Sequence, residues 1–264
     1  MADADRKPPD RPWPDGWIVR HVPVTGSTNE DLLAAAAVGA PDHSVLVADH
    51  QTAGRGRLDR RWDAPSGVNL LVSILFRTVP TPASILTQRV GLAAIDACRA
   101  AAGVEAVLKW PNDLLVDERK LAGILAQRAA DGSIVVGIGL NVGWAPEGAA
   151  SLHDAASLHG AASLHGAAPL HSVVSRSGEP TPLDMLAALL TAFDSLPEDV
   201  GDRYRAALGT LGRRVDVQVP GGRIDGRAVD IDGDGRLLVI DSCGLTHRLD
   251  VGDVVHVRDA EPPA

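Results

Sequence analysis

A loop rich in arginine and glycine separates two apolar runs, and this interruption constrains the fold more than any other feature of the chain. The loop, residues 50–69, is called the arginine loop below; the flanking runs, residues 45–48 and 68–76, have the apolar character of buried strands. Glycine lets a backbone approach a ligand closely, and the planar guanidinium matches carboxylate and phosphate groups. The pattern predicts either a lid that grips an anion or a solvated basic loop, and composition alone does not separate the two.

The charge of the whole chain favours a small anion as the ligand. The 264 residues carry a formal net charge of −9, which argues against general nucleic-acid binding. A local cationic loop on an acidic body suits a small anion better than a long polyanion. The two cysteines, Cys98 and Cys243, have neither metal-site nor disulfide-framework spacing, so we expect reduced thiols in a cytoplasmic protein.

The N-terminal residues 1–16 are polar and rich in proline, so we expect a disordered lead-in without a signal peptide. No run approaches the roughly 20 apolar residues that would span a bilayer, and no membrane partner is expected. The length allows one large and one small domain. We place the large domain at residues 17–209 and the small one at 210–264.

Hydrophobic periodicity predicts the elements of the large domain. The predicted strands lie at residues 18–22, on either side of Pro111 within 107–116, at 120–127 and at 133–142, and the predicted helices run over 27–39, 84–103, 181–193 and 197–208. The first helix starts with Ser27, Thr28 and Asn29, and Ser27 with Glu30 matches a capping box. These polar side chains either cap the helix or face a neutral ligand that donates and accepts hydrogen bonds.

Several polar residues stand where predicted strands begin or end. Lys109, Asn112 and Asp113 surround the proline turn, Lys120 opens the next strand, and Asn141 lies near the end of the strand after it. Each has an ordinary explanation, as a surface lysine or a turn residue. Their position at the ends of apolar strands also allows them to point into one cleft.

Residues 151–171 repeat the triplet Ser-Leu-His with a period of six and are called the repeat below. Histidine-rich tracts can bind metal. A period of six matches neither helical spacing nor the spacing of metal ligands. We therefore expect a tandemly duplicated surface loop that is mobile and dispensable.

From residue 213 onward, short β-rich runs alternate with turns rich in glycine, proline and aspartate. This pattern is typical of a small hairpin-rich barrel. About 50 residues are marginal for an independent fold, so we expect this C-terminal domain, preceded by a hinge at residues 209–212, to dock on the large one.

Taken in order, the motifs resemble those of biotin protein ligases, the biotin–[acetyl-CoA-carboxylase] ligase family, over residues 18–258 apart from the repeat. They are Gly-Ser-Thr-Asn at 26–29, Gln-Thr-Ala-Gly-Arg-Gly-Arg at 51–57 with Trp62, Lys-Trp-Pro-Asn-Asp at 109–113, Lys-Leu-Ala-Gly-Ile-Leu at 120–125 and Gly-Ile-Gly-Leu-Asn-Val at 137–142. The second and third motifs are highly specific as a pair.

The resemblance implies an α+β fold: a mixed β-sheet backed by helices, related to class II aminoacyl-tRNA synthetases, with a small SH3-like C-terminal barrel. It implies a ligase that converts biotin and Mg-ATP into biotinyl-5′-AMP. The biotinyl group then passes to a lysine of the biotin carboxyl carrier protein of acyl-CoA or pyruvate carboxylases. A lipoate or octanoate ligase or transferase on the same scaffold, and a non-catalytic biotin-binding protein, are the alternatives.

Some members of this family carry an N-terminal DNA-binding domain. With about 20 residues before the first motif, we expect the monofunctional type, with no DNA partner, acting as a monomer or weak homodimer.

The resemblance also assigns residues to roles. Arg57 and Lys120 supply positive charge for catalysis, and Asp113 orients or deprotonates the acceptor lysine. The nucleotide is assigned to Arg57, Trp62, Asn112 and Asn141, with Mg²⁺ held through the ATP phosphates and a contact near Asn141 left open. The residues assigned to biotin are Ser27, Thr28, Asn29, Gln51, Gly54, Arg55, Gly56, Arg57, Lys120 and Gly123.

Overall fold

The structure, a computed structural model, describes residues 13–162, 178–250 and 252–256, and within them seven strands form one mixed sheet. The strands are β1 (Ile18–Thr25), β2 (Ser44–Gln51), β3 (Leu70–Phe76), β4 (Val107–Lys109), β5 (Asp113–Val116), β6 (Arg119–Arg128) and β7 (Ile134–Leu140). Their order across the sheet is β1-β2-β3-β7-β6-β5-β4. The β1–β2 pair is parallel and the others are antiparallel, which confirms the predicted mixed sheet.

Helices cover both faces of this sheet. They are α1 (Thr28–Ala37), α2 (Ser84–Ala102), α3 (Leu152–Ala162), α4 (Pro182–Ser195) and α5 (Gly201–Ala207). Successive side chains of a strand point to opposite faces: Val45 and Val47 of β2 belong to the main core, which includes α2 and α4, whereas Leu46 and Ala48 belong to a smaller cluster with α1. None of the described helices is both long and apolar enough to cross a membrane.

The start of α1 differs from the predicted capping box. Ser27 is the residue before the helix, with extended backbone, but its side chain makes no capping hydrogen bond. Glu30 instead lies 3.6 Å from Arg55 in an exposed ion pair. The Ser27 side chain is thus available to the cavity described below.

The helix α2 ends as predicted at Gly103, whose left-handed backbone (φ 65°) is the usual glycine stop.

The predicted lead-in extended too far. Residues 1–12 lie outside the described part of the chain, but Trp13 packs against the main core. Trp17 is buried, stacks on His43 at 4.5 Å between ring centroids, and donates a hydrogen bond to Asp194. Both indoles anchor the chain before β1, because large aromatic surfaces gain most from leaving water.

The repeat also differs from its prediction, since its first part forms the helix α3 rather than a loop. Leu152 and Ala155 are fully buried in the main core. Their spacing of three places both on one side of the first helical turn, and the Ser151 hydroxyl accepts a hydrogen bond from the Asp154 N–H. The period of six does not sustain a helical stripe, so Leu158 is exposed. Residues 163–177, which hold the rest of the repeat, lie outside the described part.

The described part of the C-terminal domain is an antiparallel five-stranded sheet. Its order is β11-β10-β9-β8-β12. The strands are β8 (Arg214–Val219), β9 (Gly222–Ile231), β10 (Leu237–Asp241), β11 (Thr246–Leu249) and β12 (Asp253–His256). The strand β11 was missed because Thr-His-Arg-Leu buries only its leucine and shows no apolar alternation.

The C-terminal domain docks on the large domain through Trp110. The Trp110 indole N–H donates to the Gly235 carbonyl at 3.0 Å, and its backbone N–H donates to the Thr210 hydroxyl at 3.0 Å. Arg213 forms an ion pair with Glu118 at 2.7 Å. The main core includes buried residues of both domains. This docking brings the start of β12 beside the arginine loop.

The burial of α3 predicts a difference between two equivalent leucines of the repeat. Leu152→Ala should lower the free energy of unfolding by about 2–5 kcal/mol, because it leaves a cavity in the core. Leu158 holds the same place in the next unit and is 58% exposed, so Leu158→Ala should change stability by less than about 0.5 kcal/mol. Denaturant titration of both variants measures the difference; equal losses would contradict the packing of α3.

Candidate active site

A cavity of about 490 Å³ lies between the large sheet, the arginine loop and the start of β12. Gly54 does not line it: it is buried within the arginine loop, where its carbonyl accepts the backbone N–H of Trp62 at 2.9 Å. Lys109, which the strand pattern also allowed to point into the cleft, is not among the lining residues. All the other residues that the resemblance assigned to roles line the cavity, namely Ser27, Thr28, Asn29, Gln51, Arg55, Gly56, Arg57, Trp62, Asn112, Asp113, Lys120, Gly123 and Asn141. Residues from distant parts of the chain are thus brought together.

Glycines on one face of the sheet form the floor of this cavity. Gly123 of β6 pairs with Gly139 of β7, and Gly137 lies two residues earlier on the same face. A Cβ added at Gly139 would collide with the Trp62 ring, and one at Gly137 would collide with the side-chain oxygen of Asn29. Glycine at these places therefore leaves room above the sheet. Sequence reasoning did not include Gly137 and Gly139 among the site residues, although glycine inside a strand often marks a close approach.

Hydrogen bonds fix the polar side chains at the start of α1. The Gln51 side-chain oxygen accepts from the backbone N–H of Thr28 at 2.7 Å and from its hydroxyl at 3.0 Å. The hydroxyl of Ser73, a buried residue that sequence reasoning missed, lies 2.7 Å from the Thr28 hydroxyl and 2.5 Å from the Asn29 oxygen. Its single hydrogen serves one of these two contacts at a time. This end of the cavity is polar and uncharged.

The side chain of Asn29 is largely used within the protein. Its amide donates to the Leu125 carbonyl at 3.2 Å and to the Gln127 side chain at 2.7 Å, while its oxygen accepts from Ser73. Asn29 still lines the cavity. Its hydrogen bonds make it part of the framework that holds Thr28 in place.

The cationic end of the cavity is organised by the residues that follow Pro111. Lys120 Nζ lies 2.7 Å from the carboxylate of Asp113, and Arg57 donates to the Asn112 side-chain oxygen at 3.1 Å. The Asn112 amide donates in turn to the Ile124 carbonyl at 3.0 Å. Burial lowers the pKa of the Arg57 guanidinium, opposed by the charges of Asp113 and Asp253. A guanidinium stays charged at neutral pH, so Arg57 is a partly desolvated fixed cation.

The arginine loop is tied to the C-terminal domain by an ion pair between Arg60 and Asp253. The hydrogen bond from Arg60 holds the pKa of Asp253 below its usual value, and Lys109 and Arg57 lower it further. A lowered carboxyl pKa means that the pair is present above the ordinary aspartate pKa and is lost as the pH falls through the lowered value. Both side chains are more than a third exposed, so the tie is weak in free energy.

Trp62 covers part of the glycine floor. Its ring meets Gly123 and Gly139, and Lys120 Nζ lies 5.7 Å from the ring centroid. The indole N–H is buried and makes no hydrogen bond within the described residues. A flat aromatic ring beside a cation offers a stacking surface to another ring system.

The wall that follows β7 contains two residues that sequence reasoning missed. Trp144 and Pro146 line the cavity near Asn141. Trp144 is 37% exposed, so part of its ring faces solvent. The signal available in the sequence was a tryptophan three residues after Asn141, since tryptophan is enriched among residues that dominate binding.

The charges of the cavity favour an anionic ligand. Five lining side chains are cationic and three are acidic, namely Arg55, Arg57, Arg60, Arg61 and Lys120 against Asp63, Asp113 and Asp253. The described lining residues include neither cysteine nor histidine, and no group of three or more such side chains or carboxylates in the described residues is arranged to hold a metal ion. The arrangement suits chemistry in which substrates react with each other beside fixed cations.

Comparison with known proteins identifies the family. Residues 22–144 match the profile of the Biotin/lipoate A/B protein ligase family, and residues 210–257 match that of the Biotin protein ligase C terminal domain. A biotin–[acetyl-CoA-carboxylase] ligase of Mycobacterium tuberculosis is 41% identical over 245 residues, which cover 90% of this chain and 88% of that protein. The chain belongs to the biotin protein ligase family.

Other biotin protein ligases match over less of the chain. The biotin–[acetyl-CoA-carboxylase] ligase of Paracoccus denitrificans is 37% identical over 134 residues, covering 48% of this chain and 55% of that protein. The bifunctional ligase/repressor BirA of Escherichia coli is also 37% identical over 134 residues, covering 48% of this chain and 41% of BirA.

The solved structures of the family share the fold. Biotin protein ligase from Aquifex aeolicus, solved in complex with biotin and ATP, matches with a TM-score of 0.70 at 23% identity, covering 92% of this chain and 99% of that one. At this identity the match speaks for the fold alone. It confirms the mixed sheet backed by helices with a small C-terminal β-domain that the resemblance implied.

The contact between Trp62 and the floor can be tested in this ligase-family site. Gly139→Ala should push the indole away and loosen the arginine loop. Trypsin cleavage after the loop arginines should then quicken by about tenfold, because overpacking costs about 1–3 kcal/mol. Gly26→Ala is the matched control, since a Cβ there meets nothing within 4 Å. Unchanged cleavage in Gly139→Ala would mean that the loop does not depend on this contact.

Proposed function

We propose that this chain is a biotin–[biotin carboxyl carrier protein] ligase, which activates biotin with Mg-ATP to biotinyl-5′-AMP and transfers biotin to a lysine of the carrier protein. One observation carries the proposal: a polar, uncharged end with Thr28 and Gln51 and a cationic end with Arg57 and Lys120 share one cavity. Biotin has a neutral ureido ring at one end and a carboxylate at the other. Membership of the family supports the same reading.

The ureido ring is assigned to Ser27, Thr28 and Gln51, and the glycine floor accommodates the rest of the biotin. The ureido group both donates and accepts hydrogen bonds, as do hydroxyl and amide side chains. Asn29 contributes chiefly by holding Thr28 through their shared partner Ser73. The backbone at Gly54, Gly56 and Gly123 lets the arginine loop and β6 approach closely.

The adenylation step joins two anions, and positive charge must offset their repulsion. A biotin carboxylate oxygen attacks the α-phosphorus of ATP, an oxygen–phosphorus bond forms, and the α–β bond breaks to release pyrophosphate. Arg57 and Lys120 supply fixed charge where negative charge develops, and Arg55 contributes at the rim. Asp113 contacts Lys120, and Asn112 accepts a hydrogen bond from Arg57, so both cations are held by neighbouring side chains.

The nucleotide is assigned to Trp62, Asn141, Asn112 and Arg57. The indole offers a stacking face to adenine, and the arginine matches phosphate geometry. Mg²⁺ enters as part of the Mg-ATP substrate. A protein contact to the cation is assigned to the Asn141 side-chain oxygen, because amide oxygens suit this hard cation.

In the transfer step, the acceptor lysine attacks the carbonyl carbon of the mixed anhydride and AMP leaves. The amine must lose a proton, and Asp113 is assigned to orient it or accept that proton. Its carboxylate already contacts Lys120, so the two residues act as a pair. The acceptor is the biotin carboxyl carrier protein of an acyl-CoA or pyruvate carboxylase.

We also propose the remaining properties of the protein. The catalytic domain spans residues 17–209 and the C-terminal domain 210–264, a boundary supported by the match that starts at residue 210. A cytoplasmic location is supported by two free cysteines, Cys98 and Cys243. A monomer or weak homodimer is the expected assembly, and neither DNA nor a membrane is an expected partner.

A pyrophosphate-release assay with biotin, lipoate or octanoate, each with ATP and Mg²⁺, tests the proposal. Turnover with biotin alone is expected, because lipoate and octanoate lack the ureido group that Thr28 and Gln51 would bind. Turnover with lipoate or octanoate but not with biotin would favour the alternative on the same scaffold. Biotin binding without pyrophosphate release would indicate a non-catalytic binding protein.

Removing either fixed cation should slow adenylation. Arg57→Ala and Lys120→Ala should each lower the rate of biotin-dependent pyrophosphate release by at least about tenfold, since one stabilising donor is worth about 10²–10³ in rate. Arg20→Ala, which removes an exposed arginine from β1, is the control and should leave the rate unchanged. Wild-type rates in the first two variants would refute their assigned roles.

A further inference from the structure

The side chain of Asn69 is buried and bonded throughout to one short segment of the cavity wall. Asn69 directly precedes β3 and is 2% exposed. Its hydrogen bonds all go to residues 141–144, the segment that follows β7. Sequence reasoning gave this residue no role.

The Asn69 side chain bonds to both N–H and carbonyl groups of the segment's backbone. The Asn69 oxygen accepts the N–H of Val142 at 3.0 Å and that of Trp144 at 3.2 Å. Its amide donates to the Trp144 carbonyl at 2.9 Å and to the Asn141 oxygen at 3.4 Å. One asparagine amide, with two acceptor and two donor positions, satisfies all four contacts. Aspartate could not make the two donations, and alanine could make none.

The held segment carries two side chains that line the cavity, Asn141 and Trp144. Asn141 is buried and donates to the Ala150 carbonyl at 3.1 Å. The Trp144 side chain, by contrast, is 37% exposed, and both its backbone N–H and its carbonyl bond to Asn69. The position of its backbone depends on Asn69.

We infer that Asn69 is a positioning residue for the nucleotide: it holds residues 141–144 so that Asn141 and Trp144 form one wall of the nucleotide subsite. This inference rests on the proposed function, which assigns the nucleotide to this side of the cavity. Trp144 supplies an aromatic surface for the nucleotide in addition to Trp62.

Ser73 holds side chains in the same way at the opposite end of the cavity. It lies four residues after Asn69, is also buried, and bonds to Thr28 and Asn29. The same stretch of chain therefore holds two walls, one for each substrate. The two residues form a matched pair whose loss should affect different ligands.

The experiment compares Asn69→Ala with Ser73→Ala by calorimetry. Two dissociation constants are measured: that of biotin alone, and that of α,β-methylene-ATP with saturating biotin, so that no turnover is needed. Asn69→Ala should weaken the nucleotide by about tenfold and leave biotin within about twofold, the size of effect expected for a lost buried hydrogen bond. Ser73→Ala should show the reverse pattern.

The melting temperature separates positioning from general destabilisation. Equal weakening of both ligands in Asn69→Ala, or an unchanged nucleotide affinity, would overturn the inference. Trp144→Ala removes a half-exposed side chain and should fold even where Asn69→Ala does not; it should also weaken the nucleotide analogue, and an unchanged affinity there would count against the inference. If the wild-type protein bound neither ligand, the proposed function itself would be wrong.

Discussion

The active-site cavity depends on the absence of side chains at three positions on one face of the sheet. Gly123 of β6 and Gly137 and Gly139 of β7 are these positions, and together they leave an open floor. Any Cβ at Gly137 or Gly139 would meet a group already in place. Glycine weakens a strand, yet the flanking positions of β7 are buried and apolar, which compensates for the loss. The sheet thus has fewer side-chain contacts at these glycines, and the space they leave can hold a ligand.

Above this floor, uncharged side chains hold other cavity residues in position, one of which is the cation Arg57. Asn112 holds Arg57 and is itself bonded to the Ile124 carbonyl, so the guanidinium is fixed by the backbone of β6. Ser73 and Asn69 act in the same way on the other walls. A cation that is held before the substrate arrives loses little entropy on binding. Buried amides and hydroxyls are suited to this work because they carry no charge that burial would penalise.

Much of the fold followed from local patterns, and the misses have physical causes. Apolar periodicity located the strands of the large sheet, and the order of the motifs correctly predicted thirteen of the residues that line the cavity. The network partners Asn69 and Ser73 escaped because a buried polar residue inside an apolar run looks like an ordinary strand residue until its partner is known. The first part of the repeat was taken for a loop because its period is not helical, whereas tertiary packing of Leu152 and Ala155 decides its structure. Trp144 was missed because its exposure depends on a backbone held from β3.

The C-terminal domain is too small to be treated as separate from the site. Trp110 sits between Lys109 and Pro111, so the strand turn that carries Asn112 and Asp113 is also the main contact to Gly235 and Thr210. About 50 residues bury little core alone, and the shared core with the large domain supplies the rest. Because only Pro111 separates Trp110 from Asn112, a disturbance of this interface reaches the cavity residues Asn112 and Asp113 directly along the chain. The weak pair of Arg60 and Asp253 adds a second route, through the arginine loop, that salt or low pH would remove first.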